Sequence, residues 1–345
     1  MSAPHVRNVI PFTHAGVMLP FVSYLERLGT PTERYLQKAK ISPDLLEHPE
    51  APVPLRLAYR FLNEACRAEG VENPGLHAGC ATSLSELGEF GDILLSARNV
   101  HEYLETGVRF AGAVTTGDRY RLDPEGEWIR FSHHHEAPGI PESDKQHSYF
   151  FSLSITINTL RHVAGRHWCP PELTFPVLSR RASAELSEWL PDTRVITGSR
   201  GASFLFPASF LAMPMPQKIY GNPSTETTSI LRPAPREFLA SARVLVESLV
   251  PGGYLTMETA AEAAGLSVRT LRRRLAESGT SYFDLVTETR VTLAERWLAE
   301  RDRSITEIAS TLGYANRSNF TRAFRRLNGM SPQAYRDILI QKDRC

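Results

Sequence analysis

The 345-residue sequence predicts an α+β N-terminal domain with an antiparallel sheet, then an all-α C-terminal domain with two helix-turn-helix units joined by a linker helix. Three observations predict it. One helix-turn-helix pattern recurs twice after residue 236, and residues 114–135 alternate apolar and polar as a strand pair does. Between the two regions lies a stretch rich in proline and small polar residues. It holds Pro214, Pro216, Pro223, Pro233 and Pro235 around the run Gly221 to Ser229, a linker composition. The expected domains are therefore 1–215, a linker at 216–235, and 236–345.

The N-terminal domain opens with helical periodicity at 17–28, 32–40, 55–67, 90–97 and 100–110. Alternation then takes over at 114–122 and 127–135. Asp123, Pro124, Glu125 and Gly126 supply the turn of a β-hairpin. A longer helix is expected at 145–163, with Tyr149, Phe150, Leu153, Ile157 and Leu160 on its inner face. Residues 173–178, 195–197 and 202–206 complete the strand candidates.

In the C-terminal domain, residues 236–249 carry a helical stripe of Phe238, Ala242, Leu245 and Leu249, which Pro251, Gly252 and Gly253 end. Ala261 and Ala309 each stand four residues before a glycine, Gly265 and Gly313. Glycine suits the tight turn because it tolerates φ > 0. Ser267 and Asn316 follow as N-caps for the next helix. Leu271 with Leu275, and Phe320 with Phe324, lie four and eight residues past the caps and share one buried face. The opposite faces expose Arg269, Arg272 and Arg273 in one copy, and Arg317, Ser318, Thr321 and Arg322 in the other. A helix of this kind fits the major groove of duplex DNA, and arginine suits both guanine and phosphate. Between the copies, 281–300 reads as one helix with Phe283, Val286, Arg290, Leu293 and Trp297 at helical spacing. Twenty residues make a rod of about 30 Å, close to a DNA turn of roughly 34 Å. One chain could thus place two reading helices in successive grooves.

Composition agrees. Apolar residues make up 42% and charged residues 22%, as in ordinary globular proteins, with no apolar run long enough for a bilayer. Residues 1–13 lack the basic start and apolar core of a signal peptide, and Cys66, Cys80, Cys169 and Cys345 form no close pair. A cytoplasmic protein without disulfides is expected. The net charge of +1 is unevenly distributed: residues 236–345 carry +4 and residues 1–235 carry −3. The basic excess lies where phosphate neutralisation needs it.

The C-terminal residues resemble the DNA-binding domain of the AraC/XylS family of bacterial transcription regulators. The resemblance is carried by Gly313, Tyr314, Phe320, Arg322, Ala323, Phe324, Gly329, Ser331, Pro332, Tyr335 and Arg336. Ser267, Arg269, Leu271, Arg273 and Arg290 also fit. The N-terminal half is similar to the arabinose-binding-like sensor domain of the OruR-type subgroup. Pro54, Leu55 and Arg56, Gly75 through Gly79, Gly88 through Ser96, and Pro207, Phe210, Leu211 and Pro214 carry that likeness. The resemblance implies a regulator that binds double-stranded promoter DNA, works beside RNA polymerase, and answers to a small-molecule effector. Paired operator sites would bring two copies together as a homodimer.

Candidate chemistry in the N-terminal domain is sparse. His133 and His135 share a strand face ahead of Glu136, but no third or fourth metal ligand stands out, so a solvated or pocket-lining strand end is expected and no metal. Arg119, Arg121 and Arg130, with Trp128, are candidates to hold a carboxylate effector, set against an ordinary charged surface. No nucleophile motif appears, so no catalytic residue, enzyme activity or cofactor is expected. The alternative is an enzyme carrying the DNA-binding module for targeting.

Overall fold

The computed structural model describes residues 9–215, 235, 237–300 and 303–342. Among these, the chain folds as two compact units. The first comprises residues 11–39 and 46–215; the second comprises residues 237–300 and 303–342, with the short segments 9–10 and 40–45. The expected linker at 216–235 lies outside the described residues except for Pro235. No helix among the described residues is long and apolar enough to cross a membrane.

In the first unit a short antiparallel pair, β1 (Phe12–His14) and β2 (Pro52–Pro54), leads into α1 (Ala15–Arg27), α2 (Thr32–Ala39) and α3 (Leu55–Glu69). Then come α4 (Pro74–Ala81), α5 (Glu89–Leu95) and α6 (Val100–Val114), the last capped by Asn99, whose side chain accepts from the Glu102 N–H at 2.9 Å. The five expected helices are all present. Periodicity missed α4, whose small residues give its two faces little contrast.

The main sheet has the order β3-β4-β7-β5-β6, with β3 at Asp118–Glu125, β4 at Trp128–His135, β5 at Glu172–Phe175, β6 at Arg194–Thr197 and β7 at Ala202–Pro207. It is antiparallel except between β5 and β6, which run parallel. A parallel pair needs a crossover, and α8 (Arg180–Trp189) supplies it; with only Ala182 and Leu186 buried, this helix left little sequence pattern. The hairpin differs from expectation in two ways. Val114 ends α6 and is not part of a strand, and the turn is tighter. Asp123, Pro124 and Glu125 pair with Arg130, Ile129 and Trp128, which leaves Gly126 (φ 65°) and Glu127 to reverse the chain. Pro124 can sit inside β3 because β3 is an edge strand, where no neighbour needs its missing N–H.

The long helix α7 (Glu142–Ala164) packs on β4 and β7 and against α4. Its expected inner-face residues are buried, and so are Phe151, Ser152, Ser154, Ile155, Thr156 and Thr159. It is a central helix, covered on several sides. Its buried hydroxyls return to its own backbone: Ser154 Oγ donates to the Phe150 carbonyl at 2.7 Å, and Thr159 Oγ1 to the Ile155 carbonyl at 2.8 Å. Two glycines one turn apart let α4 approach it. A Cβ on Gly75 would lie 2.1 Å from the His147 carbonyl oxygen, and one on Gly79 would lie 2.1 Å from Ser154 Oγ.

The second unit is helical throughout: α9 (Phe238–Leu249), α10 (Met257–Ala264), α11 (Val268–Glu277), α12 (Tyr282–Ala299), α13 (Ile305–Thr311), α14 (Arg317–Asn328) and α15 (Pro332–Lys342). The pairs α10–α11 and α13–α14 are the two expected helix-turn-helix units, and α12 joins them. Phe283 does not belong to the buried stripe of α12. It is 71% exposed, while Tyr282 and Leu285 turn inward with Val286 and Leu293.

Gly75 and Gly107 should respond oppositely to alanine. Gly75→Ala is expected to lower the unfolding free energy by about 1–3 kcal/mol, because the methyl meets backbone that cannot yield. At Gly107 the nearest atom to an added Cβ is a Tyr120 ring carbon at 3.6 Å. There alanine should stabilise by about 0.4–1 kcal/mol. Urea unfolding followed by tryptophan fluorescence measures both.

Candidate functional site

The exposed surface of the second unit is built by its turns. Gly265 (φ 68°) and Gly313 (φ 74°) take the left-handed conformation that stops α10 and follows α13. Ser267 Oγ then accepts from the Thr270 N–H at 3.1 Å, and Asn316 Oδ1 from the Asn319 N–H at 2.8 Å. Each cap satisfies an otherwise orphaned donor and sets the direction in which its helix leaves the turn. Leu271 and Leu275 anchor α11, and Phe320 and Phe324 anchor α14; all four are buried. The rings of Phe320 and Phe324 stand 5.7 Å apart, with Tyr335 against Phe324 at 5.5 Å.

The anchored faces leave the basic faces outside. On α11, Arg269, Arg272 and Arg273 are exposed. Arg273 pairs with Glu277 at 2.9 Å, a solvent-exposed i,i+4 contact that contributes little and exchanges easily. On α14, Arg317, Ser318 and Arg322 are exposed and Thr321 is half-buried, with Arg322 donating to Asn319 Oδ1 at 2.9 Å. Each unit thus gathers its own candidate residues on one helix. Arg274, on the same helix as Arg269, Arg272 and Arg273, instead lays its guanidinium over the Phe238 ring, 5.4 Å from the ring centre.

Arg290 and Arg336 brace this surface from behind. The Arg290 guanidinium stacks on Tyr314 at 5.1 Å and reaches the Gly313 carbonyl at 3.5 Å, which ties α12 to the second turn. Burial pulls Arg290 below its ordinary value, the mark of a structural cation and not a solvated one. Arg336 donates to the Leu298 carbonyl at 3.2 Å, near the end of α12, and to the Arg303 carbonyl at 2.7 Å, just before α13.

In the first unit the arginine candidates lie on the charged outer face, one of the two readings the sequence left open. Strand alternation puts Asp118, Tyr120, Ile129, Phe131, His133 and His135 toward the interior, and Arg119, Arg121, Trp128 and Arg130 on the other face. Arg119, Arg121 and Trp128 are exposed. Arg130 is held at 2.9 Å by Glu125 Oε2, at 3.0 Å by Glu172 and at 3.1 Å by Ser203. None of the four lines either of the two interior cavities of this unit, because their strand parity is that of the outer face.

These two adjoining cavities, each of about 60 Å³, lie within the first unit among the described residues. Val17, Thr115, Ser148 and Phe151 border both. One runs from an apolar end at Leu84, Phe90 and Leu104 to a polar end at Asp118, Tyr120 and Ser152. The other is lined by residues that include Phe21, Leu62 and His147. Beside the polar end, His133 Nε2 stands 2.9 Å from Asp118 Oδ1, and His135 Nδ1 faces the same oxygen. The histidines are not solvated: His133 is 0% and His135 4% exposed. Burial alone would raise the Asp118 carboxyl, but the two imidazoles beside it hold it well below the usual carboxylate range. Sequence reasoning passed over Asp118. Only the hairpin register, which sets it opposite His135, reveals it. The Cys66 thiol is pushed up by burial to about 12, so it behaves as an inert core residue.

Comparison with known proteins places both units. Residues 29–215 match the family described as the arabinose-binding domain of AraC transcription regulator, N-terminal, and residues 260–338 match a helix-turn-helix domain. The HTH-type transcriptional regulator VirS of Mycobacterium tuberculosis is 38% identical over 104 residues, 30% of this chain and 31% of that one. RipA of Corynebacterium glutamicum, also an HTH-type transcriptional regulator, is 40% identical over 104 residues, 30% of each chain. The chain therefore spans under a third of the length of these curated relatives. A longer match, 24% identical over 329 residues, covers 89% of this chain and 91% of the uncharacterized HTH-type transcriptional regulator Rv1395 of Mycobacterium tuberculosis.

Acid should destabilise the first unit in a defined window. Burial lowers His147 from 6.5 to about 4, so between these values the unfolded chain binds a proton that the folded chain refuses. Stability is then level above about pH 6.5 and falls as the pH drops toward 4; burial pushes His133 in the same direction. Urea midpoints between pH 4 and pH 8 should show this slope, and His147→Gln should reduce it while the His133 contribution remains.

Proposed function

The chain belongs to the family of AraC-type transcription regulators with an arabinose-binding-like N-terminal domain, and on that premise we propose that it binds specific promoter DNA under the control of a small molecule held inside its first unit. The observation that carries the proposal is the pair of capped helices α11 and α14, each anchored by buried apolar residues and each presenting arginine outward. Arg269, Arg272 and Arg273 would enter one major groove, and Arg317, Ser318, Thr321 and Arg322 the next. Eighteen residues in α12 span about 27 Å, a length suited to holding two readers within one DNA turn. Some of these arginines would contact phosphate and fix the register, while others read base edges.

The effector site would be the interior cavities and not the outer arginines. Their walls favour a compact, largely apolar molecule with one hydrogen-bonding group placed near Tyr120, Ser148 and Ser152. The relatives are named transcriptional regulators, which supports a binding role without turnover. The working form would act in the cytoplasm on double-stranded promoter DNA beside RNA polymerase, as a homodimer where operators are paired.

DNA recognition can be tested with a duplex selected from a random-sequence pool by the full-length chain. Arg273→Ala and Arg322→Ala should each weaken binding by about 1–3 kcal/mol where the side chain reads a base. Where it holds a phosphate, the salt dependence of binding should fall by about 0.9 in log–log slope. Unchanged affinity and slope in both variants, measured by fluorescence anisotropy, would sink the assignment.

The cavity can be tested separately. Gly107 lines it, so Gly107→Leu should fill it and remove any ligand-induced rise in Tm. A thermal-shift screen of carboxylates, amino acids, sugars and lipids against both forms reads this out, and DNA affinity should be retained. A ligand that shifts both forms equally binds elsewhere.

A further inference from the structure

The polar cluster beside the cavity has the make-up of a metal site. His133 and His135 project from the same face of β4, and the register brings Asp118 of β3 opposite His135. His133 Nε2, His135 Nδ1 and an Asp118 carboxylate oxygen all lie within 4.8 Å of one another. The three side chains point at one place.

Each imidazole is also held from its far side. His133 Nδ1 is 2.6 Å from Ser152 Oγ, and His135 Nε2 is 3.1 Å from the Tyr59 hydroxyl. Outer partners of this kind orient metal-bound histidines and fix which nitrogen is free to ligate. Ser152 adds a directional argument. Its hydroxyl can donate its single proton to the Tyr149 carbonyl at 3.2 Å, so its oxygen is free to accept from His133 Nδ1–H. In that tautomer His133 Nε2 turns its lone pair toward the Asp118 oxygen 2.9 Å away, and a cation bound beside both atoms would serve the two acceptors. A proton could serve that one pair. A divalent ion serves all three atoms at once.

Burial points the same way. Asp118 is 8% exposed, and the charged groups beside it among the described residues are imidazoles, not lysine or arginine. A buried carboxylate is tolerated when it is paired or when it coordinates a metal. Two imidazoles and one carboxylate suit first-row divalent ions and leave coordination positions open.

We propose that Asp118, His133 and His135 bind one first-row divalent metal ion, with Zn²⁺ and Co²⁺ as suitable occupants. Ser152 and Tyr59 act as positioning residues for the two imidazoles. Asp118 is also part of the cavity wall, which links occupancy by the ion to occupancy of the cavity.

The test uses the full-length chain stripped of metal by a chelator and titrated with Co²⁺ and Zn²⁺ by calorimetry and absorption. One ion per chain is expected, with the visible bands of a nitrogen- and oxygen-ligated Co²⁺ and no intense near-ultraviolet thiolate band. Asp118→Asn and His135→Gln should each weaken binding roughly 100-fold or more, and Ser152→Ala about 10–100-fold. Three results would overturn the site: no binding below millimolar Co²⁺, a thiolate band that moves the ion to a cysteine, or wild-type affinity in Asp118→Asn and His135→Gln. If circular dichroism shows that those two variants do not fold, the wild-type spectrum and Ser152→Ala decide the matter. No readout involves DNA, so the outcome is independent of the DNA-binding reading.

Discussion

The arrangement of the second unit depends on one helix being buried by partners on both sides. Near its start, the Tyr282 hydroxyl of α12 donates toward the Leu255 and Thr256 carbonyls, which border the first helix-turn-helix. Further along, α12 packs on α13, α14 and α15, with Val291, Leu293, Ala294 and Leu298 buried. A helix covered this way cannot rotate without exposing one core or the other. Its amphipathic pattern is accordingly broad, and the buried residues do not follow a single narrow stripe. Arg290 completes the constraint. A guanidinium stacked on Tyr314 and directed to the Gly313 carbonyl couples the linker helix to the turn that aims α14. The direction in which the second basic face points is therefore a consequence of packing well behind it.

The first unit solves a different problem: how to carry polar and titratable groups in an interior without losing the core. The hydroxyls of α7 bond back to its own carbonyls, so they add little cost where they are buried. The charged groups are concentrated at one place, where Asp118 serves both imidazoles and each imidazole meets a hydroxyl. Around them lie large apolar rings, including Phe131, Phe204 and Phe206, whose packing sets the thickness of the layer between sheet and helix. Gly75 and Gly79 let α4 pack closely against one side of α7. The cavities lie in the space the remaining helices do not fill.

Much of this organisation was legible in the chain. The helix-turn-helix units could be read because their determinants are local: a glycine for the turn, a capping side chain two or three residues on, and anchors at +4 and +8. Local determinants act within a few residues, so spacing alone recovers them. The parallel β5–β6 pair and the helices α4 and α8 were harder to read. A short helix of small residues, or one with two buried positions, leaves too weak a periodicity to separate from a loop. Phe283 shows the opposite error, an apolar residue at a plausible spacing that the structure leaves in solvent.

By itself, then, the sequence determined the two-domain plan, the paired helix-turn-helix units and the residues on their outward faces, because caps, turns and helical spacing are short-range effects. The tertiary structure alone decided which side of the sheet each hairpin residue occupies in relation to a partner. A shift of one residue in register exchanges the faces of a strand. Arg130 and Asp118 differ in just this way: one meets Glu125 and Glu172 on the outer face, and the other meets two histidines in the interior. The side chains that form the buried cluster come from β3, β4, α3 and α7, and only long-range packing brings those elements to one point.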